Sequence, residues 1–587
     1  MAVENLITEH IDIWTSAVKS KSTSGRGSSK KLELYGVKKL RDLILELAVR
    51  GQLVPQDPND EPASVLLESI AEEKEQLVKE KKIRKEKNLP DISDVEKPFL
   101  LPIGWSWSFL GSVCQIERGG SPRPIKSFLT DSPDGLNWIK IGDTQIGGKY
   151  ITHAAEKIRP EGLSKTRKVF PGDFLLTNSM SFGRPYITLI EGCIHDGWLR
   201  ISPPVSLNKD YLYNLLSSPF IVSSFKDSAA GAVVMNLNAD KVRETIIAIP
   251  PTNEQHRIVA KVDELMALCD QLEQQTEASI EAHQVLVTTL LDTLTNSADA
   301  DELMQNWERI SEHFDTLFTT EESIDQLKQT ILQLAVMGKL VPQDPTDEPA
   351  SELLKRIAEE KAQLVKEKKI KKQKALPPIS EDEKPFELPR GWVWTHMDEL
   401  FYVSGGLQKT PKRTPVSNHF PYLAVANVQR GRLELDELKR FEVTPEELEQ
   451  YKLLAGDLMV VEGNGSENEI GRCAIWSEDV PDCLHQNHLI RCRPLIPALS
   501  FWVLNVLNSP LGINTMKSLA VTSSGLYNLS VGKIRGIFLP MPPLNEQKRI
   551  VSKVKELTSI CDQLKAHLNE SQATQLNLTD AIVEQAV

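Results

Sequence analysis

Hydrophobic and polar positions along the chain predict the same order of elements twice. From residue 32 to 49, apolar residues return at helical spacing and end at Gly51, where a helix C-cap is expected. After VPQDPNDEP a second helix is predicted, and it ends before Pro90. The same landmarks recur at an offset of 287 residues, beginning with LAVMGKLVPQDPTDEPAS at residue 334. Two copies of this length indicate a duplicated module with internal pseudo-two-fold symmetry, because solenoid repeats are much shorter.

Each copy is followed by a region of short apolar runs separated by turns. The first region opens with LPIGWSW at residue 101 and the second with LPRGWVW at residue 388, a pattern typical of a first strand. Later runs predict further strands, and helices are expected at 210–225 and 498–519. We therefore predict two α+β domains.

The two domains differ in most residues but share a few short landmarks. Both contain Gly-Asp, at residues 172 and 456, and both contain a histidine, His195 in the first and His485 in the second. This pattern predicts a common framework that carries two different surfaces.

A long helix is predicted after each domain. Apolar residues spaced 4, 3, 4 and 3 apart form a coiled-coil seam, at Ile258, Val262, Leu265, Cys269 and Leu272. The seam recurs 292 residues later, from Ile550 to Leu564. If residues 254–292 form one helix, it spans roughly 58 Å at about 1.5 Å per residue. The predicted fold is therefore α+β, with two similar domains separated by long antiparallel coiled-coil helices.

The N-terminal stretch lies outside the repeat. Residues 2–20 predict one amphipathic helix, and a Ser, Gly and Lys-rich linker follows, so we expect a detachable arm. The predicted division of the chain is an arm and linker at 1–31, a helical repeat region at 32–100, a first domain at 101–252, a central helical and coiled-coil region at 253–387, a second domain at 388–543 and a C-terminal coiled-coil helix at 544–587.

Composition places the chain among ordinary globular proteins. Of its 587 residues 40% are hydrophobic and 25% charged, and neither a signal peptide nor a membrane-length apolar run is seen, so a soluble cytoplasmic protein is expected. The net charge of -13 lies mostly outside the two domains, since residues 101–250 carry +3 and residues 388–541 carry -1. The acidic total is thus only a mild argument against binding to DNA, because local patches decide DNA affinity.

Catalytic and metal-binding motifs are not found in the sequence. IGDTQIGGKY at 141–150 lacks the Ser or Thr that a phosphate-binding loop needs after its lysine. Cys483, His485, His488 and Cys492 match no zinc spacing and overlap a predicted strand, which favours a packing role. No GxGxxG, GxSxG or HExxH motif and no NPPF or DPPY tetrad of amino-methyltransferases occurs. We therefore predict a chain that is not an enzyme and holds no cofactor or metal of its own.

Polar loops in both domains have the composition of a DNA-binding surface. Glycines let the backbone approach a phosphate, and Arg, Gln and Asn side chains make the paired hydrogen bonds that distinguish base edges. Each residue alone could be an ordinary surface residue, and the paired placement of the loops supports the group. The candidate contacts are Arg118, Gly119, Gly120, Ser121, Arg123, Lys126, Asn178, Ser179, Ser181 and Arg184 in the first domain, and Gln408, Lys409, Lys412, Arg413, Asn464, Ser466, Arg472, Gln486 and Asn487 in the second.

With these features together, the chain resembles the specificity subunit of type I restriction-modification systems. The resemblance rests on two divergent domains that open with LPxGWxW, contain GGSPRP at 119–124 or GGLQKTP at 405–411, and close with PPxNEQxRIV before a coiled coil. It covers nearly all the chain beyond residue 32. The VPQDP segment near the N-terminus is similar to the IB subgroup of the family, in which the chain ends complete a circular arrangement.

The resemblance implies a DNA-recognition function without catalysis. Two target-recognition domains would each read one half of a bipartite double-stranded DNA site, with half-site centres about one helical turn, or roughly 34 Å, apart. The helices would bind two methyltransferase subunits, and two restriction subunits would complete the complex. S-adenosylmethionine, ATP and Mg²⁺ are expected on these partners, which would methylate adenine at N6 after flipping the base, or cleave the DNA.

Two alternatives remain open at the level of sequence. The coiled-coil seam alone permits a scaffold protein with no role on DNA. A self-sufficient DNA modification enzyme is the other alternative, which the missing catalytic motifs oppose.

Overall fold

A computed structural model of the chain describes residues 3–22, 30–83, 89–145, 147–178, 182–229, 237–523 and 526–587. The chain forms two compact units. The first contains Met1–Ser20, Leu32–Glu277 and Gln572–Val587, and the second contains Lys21–Lys31 and Ala278–Ser571. Each unit therefore includes one β-rich domain, the first part of one long helix and the last part of the other.

The helices alternate between short elements within the domains and long elements that follow them. In chain order they are α1 (Val3–Glu9), α2 (Ile11–Ser16), α3 (Tyr35–Val49), α4 (Ala63–Lys79), α5 (Leu110–Val113), α6 (Lys209–Ser217), α7 (Pro219–Ala229), α8 (Ala239–Arg243), α9 (Thr252–Asn296), α10 (Ala300–Glu312), α11 (Phe314–Leu317), α12 (Glu321–Val336), α13 (Ala350–Lys366), α14 (Met397–Leu400), α15 (Pro445–Tyr451), α16 (Leu499–Asn508), α17 (Pro510–Leu519), α18 (Val531–Arg535) and α19 (Leu544–Ala586).

The strands are short and almost all lie within the two domains. They are β1 (Lys19–Ser22), β2 (Lys30–Glu33), β3 (Ser106–Phe109), β4 (Gln115–Arg118), β5 (Leu136–Ile139), β6 (Tyr150–Ile151), β7 (Glu156–Ile158), β8 (Arg167–Val169), β9 (Phe174–Thr177), β10 (Pro185–Thr188), β11 (Gly192–Ile194), β12 (Trp198–Ser202), β13 (Ile246–Ile249), β14 (Val393–His396), β15 (Phe401–Gly405), β16 (His419–Leu423), β17 (Val428–Gln429), β18 (Arg432–Leu433), β19 (Lys439–Glu442), β20 (Leu458–Val461), β21 (Gly463–Asn464), β22 (Cys473–Ile475), β23 (Leu484–His485), β24 (Leu489–Pro494), β25 (Val521–Ser523), β26 (Leu526–Asn528) and β27 (Phe538–Met541).

The two domains share a sheet framework. In the first, the strands order as β4-β12-β9-β10-β6 in one sheet and β7-β5-β11-β8 in another; in the second, the corresponding sheets are β15-β24-β20-β22 and β19-β16-β23. The LPxGWxW strand predicted to open each domain is present, and it pairs with the last strand of the same domain, as β3 with β13 and β14 with β27. Because each domain is closed by its own first and last strands, its framework is complete within one unit.

The long helices are those predicted, and the seam of the first one is buried. α9 contains all of residues 254–292 as one helix. Ile258, Val262, Leu265, Cys269 and Leu272 are each at most 6% exposed. Inside the first unit α3 contacts this part of α9 through Arg41 and Asp270, 2.6 Å apart. Apolar residues at heptad spacing therefore form a packed face, as the pattern indicates.

Three other predicted helices differ from the structure in the same way. The predicted helix at 210–225 is two helices, α6 and α7, which are separated at Ser218, and the predicted helix at 498–519 is divided into α16 and α17 at Ser509. Both serines precede a proline, which disfavours helical backbone at the residue before it. The N-terminal helix predicted at 2–20 is also divided, into α1 and α2.

The N-terminal arm is packed against the first unit, which corrects the expectation that it detaches. Trp14 of α2 is fully buried. The Gly36 N–H donates a hydrogen bond of 2.9 Å to the Ala17 carbonyl oxygen, and a side chain at Gly36 would collide with the Trp14 backbone. A large buried indole provides this arm with the apolar area that holds it in place.

Among the described helices, none is long and apolar enough to cross a membrane.

Candidate DNA-recognition site

In the first domain the glycine-rich loop lies directly against a tight turn. The loop follows β4, and the turn at residues 195–198 joins β11 to β12. The Trp198 N–H donates to the His195 carbonyl oxygen over 3.1 Å, which closes the turn, and the Gly120 N–H donates to the Ile194 carbonyl oxygen over 3.2 Å. A side chain at Gly119 would collide with the His195 carbonyl oxygen. Glycine is required here because two stretches of backbone meet.

Asp196, at the tip of this turn, connects the predicted contact residues of the first domain. The Ser121 hydroxyl donates to its carboxylate over 2.6 Å, and the Arg123 guanidinium lies 3.4 Å from the other carboxylate oxygen. The Ser121 hydrogen bond is the main reason that the pKa of Asp196 is held below its ordinary value. The carboxylate is therefore ionised at neutral pH, while its side chain stays 42% exposed.

The other residues predicted in the first domain fall into two groups. Arg118, Arg123, Lys126 and Arg184 are exposed, as a DNA contact requires. In place of the exposed position expected of a contact, Asn178 is only 2% exposed, and its amide donates to the Asp196 carbonyl oxygen over 2.8 Å. Asn178 thus supports the turn from below. Ser179 and Ser181 lie outside the described residues.

The second domain repeats this arrangement with different side chains. The turn at residues 486–489 is closed by a hydrogen bond of 3.0 Å from the Leu489 N–H to the Gln486 carbonyl oxygen, and a side chain at Gly406 would collide with that same oxygen. Gln486 and Asn487 are half-buried on the turn. Gln408, Lys409 and Lys412 are exposed on the loop that follows β15.

Two arginines of the second domain that are predicted to contact DNA form ion pairs within the domain. Arg413 donates two hydrogen bonds to Glu447 of α15, of 2.8 and 3.1 Å, and this pairing raises the pKa of Arg413 and lowers that of Glu447. Arg472 is largely buried, and it donates to Gln429 over 2.8 Å and pairs with Glu469 at 3.1 Å. Both guanidiniums therefore already have carboxylate partners. A local turn also engages Asn464, whose side-chain oxygen accepts from the Ser466 N–H over 3.0 Å.

Strand register shows which residues of the two domains are equivalent. In the first domain Leu199 pairs with both Arg118 and Leu176, and in the second Ile490 pairs with both Gly405 and Val460. Leu199 and Ile490 therefore occupy the same place. Counting back along both strands places His195 with Gln486 and Asp196 with Asn487.

The shared histidines are consequently not equivalent, which corrects the sequence comparison. The residue that matches His485 is Ile194, and both are fully buried at the end of a strand that pairs in parallel with a neighbour. The glycine-rich loops also differ by one residue from the alignment of their sequence motifs, since strand register matches Gly119 with Gly406 and Arg118 with Gly405. Asp196 is not among the residues predicted from the sequence, and its place at the recognition turn follows from its contacts with Ser121 and Asn178.

The shared Gly-Asp turn belongs to the framework. Asp173 accepts hydrogen bonds from the Arg200 guanidinium, at 2.9 Å, and from the Phe170 N–H, at 2.8 Å. Asp457 accepts from Arg493 at 2.8 Å and from the Leu454 N–H at 2.9 Å. Each carboxylate links the turn that precedes one strand, β9 or β20, to the neighbouring strand, β12 or β24. The two aspartates therefore stabilise the sheets that carry the recognition loops.

Three of the four metal-capable residues of the second domain are packed in its core, whereas His488 is exposed. Cys483, His485 and Cys492 are at most 1% exposed. Burial lowers the pKa of His485 to about 3 and raises that of Cys483 to about 12. Within the described ranges, no group of three or more His, Cys, Asp or Glu residues is placed to hold a metal ion.

Comparison with known proteins identifies close relatives of the whole chain. The family model for the type I restriction modification DNA specificity domain matches residues 102–282. The type I restriction enzyme EcoAI and EcoEI specificity subunits, both of Escherichia coli, are each 42% identical to this chain, over 610 and 612 aligned residues, with all of both chains covered. A solved chain of a type I restriction-modification system covers 83% of this chain and 99% of its own length, at 19% identity and a TM-score of 0.49.

Proposed function

Because this chain belongs to the specificity subunits of type I restriction enzymes, we propose that each of its two domains recognises one half of a bipartite double-stranded DNA site. The glycine-rich loop and the tight turn of each domain form the surface that faces the DNA. The chain positions the complex on its site and leaves the chemistry to other subunits.

The proposal rests on one observation. The two domains share the same sheet framework but differ in the side chains at the ends of their loops. Ser121 and Asp196 of the first domain are replaced by Gln408 and Asn487 at the equivalent places. Side chains that differ in hydrogen-bond donors and acceptors read different base edges, whereas a common framework presents them in the same geometry. Two half-sites of different sequence follow from this arrangement.

As a subunit of a restriction enzyme, the chain works in a complex with other subunits. We propose that two methyltransferase subunits and two restriction subunits bind to its helices, in the cytoplasm, with an arrangement of the IB subgroup. S-adenosylmethionine, ATP and Mg²⁺ belong to these partners, and the methyltransferase flips an adenine out of the duplex to modify N6. The helical segments between the domains set the length of the unread gap. Half-site centres about 34 Å or roughly 10 base pairs apart, with half-sites of about three to five base pairs, then leave a gap of roughly five to seven base pairs.

The test is a genome-wide map of N6-methyladenine. One host expresses this chain with its neighbouring methyltransferase subunit, and a matched host expresses the methyltransferase alone. A bipartite motif with a constant gap, present only in the first host, is the expected result. A continuous motif would mean that only one domain reads sequence, and no new methylation would contradict the proposal.

The alternatives left open by the sequence now stand differently. Membership in a family of specificity subunits argues against a self-sufficient modification enzyme. A scaffold with no role on DNA would be supported only if the assembled complex bound all duplexes equally or none of them.

A further inference from the structure

The tight turn beside each glycine-rich loop contains one residue that is well placed to contact a base. The equivalence of this residue between the two domains is not evident from the sequences alone. In both domains the carbonyl oxygen of the first turn residue accepts the hydrogen bond that closes the turn, and the second residue forms the tip. That second residue is Asp196 in the first domain and Asn487 in the second. The two side chains have nearly the same shape and different hydrogen-bonding chemistry.

We propose that Asp196 and Asn487 contact base edges and each determine one base pair of a half-site. This inference rests on the proposed function and makes it more specific. It assigns the two residues by strand register, since neither the shared histidines nor the glycine motifs align them.

The chemistry of each side chain indicates the base it reads. An ionised carboxylate only accepts hydrogen bonds, and the exocyclic amino group of cytosine is the matching donor in the major groove. An asparagine amide both donates and accepts, which matches the N6 and N7 edge of adenine. Asp196 therefore reads a cytosine and Asn487 reads an adenine.

The surroundings of Asp196 favour a base over the DNA backbone. A carboxylate is repelled by phosphates, yet this one lies 42% exposed beside the exposed Arg123 on a loop expected to approach DNA. Its hydrogen bond with Ser121 at 2.6 Å and its ion pair with Arg123 at 3.4 Å use part of its capacity, because two carboxylate oxygens accept about four hydrogen bonds. The His195 ring nitrogen lies farther away, at 3.9 Å. The Ser121 hydroxyl and the Asn178 amide hold the turn from two sides, so the free face of the carboxylate is fixed in direction.

The experiment exchanges the two side-chain types with minimal change in shape. The variants are Asp196→Asn and Asn487→Asp, each in the full chain assembled with its methyltransferase subunit. Binding is measured against a panel of duplexes in which every base pair of the wild-type site is replaced in turn. Asp134→Asn is the matched control, because Asp134 is an exposed aspartate of the first domain that lies outside the recognition loops.

We expect each variant to lose discrimination at one base pair, on the order of tenfold, and to keep it elsewhere. The affected pair lies in one half-site for Asp196→Asn and in the other for Asn487→Asp. Asn178→Ala separates base reading from support of the turn, since it removes the buried amide that holds the turn and keeps the Asp196 carboxylate. It should lower affinity without changing which base is preferred.

Three results would overturn the inference. The first is an unchanged preference at every base pair in both exchange variants. The second is a uniform loss of affinity for all duplexes, which would mean that the residue only supports the loop. The third is a loss of base discrimination in Asn178→Ala at the same base pair as in Asp196→Asn. A wild-type complex without any sequence preference would instead contradict the proposed function itself.

Discussion

The indole N–H of Trp105 donates a hydrogen bond of 3.0 Å to the carboxylate of Glu254, and Trp392 does the same to Glu546 over 3.1 Å. Glu254 stands at the start of α9 and also accepts from Gln56 of the repeated VPQDP segment, at 3.3 Å. Three motifs that lie far apart in the sequence therefore meet at one carboxylate in each unit. Burial raises the pKa of Glu254, so it is the hydrogen bonds that make its position favourable.

Glu254→Ala should destabilise the first unit, by about 1–3 kcal/mol, because a buried indole N–H loses its acceptor. Hydrogen exchange measured by mass spectrometry should show faster exchange in peptides that cover residues 50–60 and 105–109. Glu546→Ala is the matched variant, and its faster exchange should appear at the equivalent peptides of the second unit. If either variant increased hydrogen exchange equally in both units, the effect of the glutamate would not be confined to its own unit, which would contradict the prediction.

Asp173→Ala should cost about 1–3 kcal/mol in the free energy of unfolding, because the Arg200 guanidinium and the Phe170 N–H lose an acceptor. Glu117, 3.3 Å from Arg200, still balances the charge of the guanidinium. The Asp173 and Arg200 side chains are only 10% and 18% exposed. The control is Asp240→Ala, because Asp240 pairs with Arg243 while 79% exposed and should contribute at most about 1 kcal/mol. Urea unfolding of the purified chain provides both values. Equal costs would mean that the Gly-Asp turn has no special role in the sheet.

Glu447→Gln should increase binding to DNA that lacks the site, because it releases Arg413 from its carboxylate partner. If the freed guanidinium contacts one phosphate, the slope of log affinity against log salt steepens by about 0.9. Fluorescence anisotropy over a salt series measures this slope. Glu449→Gln is the control, because it makes the same charge change on α15, where Glu449 pairs with Lys452 instead. A change of slope in both variants would indicate a general charge effect.

Arg123→Ala should weaken recognition of one half-site and leave the other unchanged. The Arg123 side chain is 82% exposed, so its loss leaves the framework intact. If it contacts a guanine, discrimination at that base falls by about 1–3 kcal/mol. Duplexes altered in one half-site at a time measure the effect, and Lys79→Ala is the control because Lys79 is 71% exposed on α4, outside the loops. An equal loss at both half-sites would contradict independent domains.

His485→Ile should reduce the loss of stability of the chain in acid. Because the folded-state pKa of His485 is about 3 and the unfolded value is about 6.5, the unfolded chain binds one more proton between these values. Stability of the wild type therefore falls as pH drops through this window, by up to about 1.4 kcal/mol per pH unit. Isoleucine is chosen because Ile194 occupies the equivalent, fully buried place in the first domain. Urea unfolding at pH 7 and pH 4.5 should show a smaller difference for the variant; an unchanged difference would contradict this assignment.

The sequence by itself determined the duplication, the two α+β domains and the long helices. Periodic apolar residues select a helix or strand locally, and an exact recurrence of motifs leaves little choice about domain order. The prolines that follow Ser218 and Ser509 divide two of the predicted helices, because proline disfavours helical backbone at the residue before it. The glycines at 119 and 120 indicated a close approach of backbone, which the structure contains.

The tertiary structure decided which side chains are exposed and which residues of the two domains are equivalent. Asn178, Arg413 and Arg472 have polar side chains typical of DNA contacts, but their hydrogen-bond partners come from distant parts of the chain. Asp196 and Asn487 become equivalent only through the pairing of strands, because loops of different length shift the offset between the domains. Local sequence fixes neither property, since both depend on contacts between residues that are far apart along the chain.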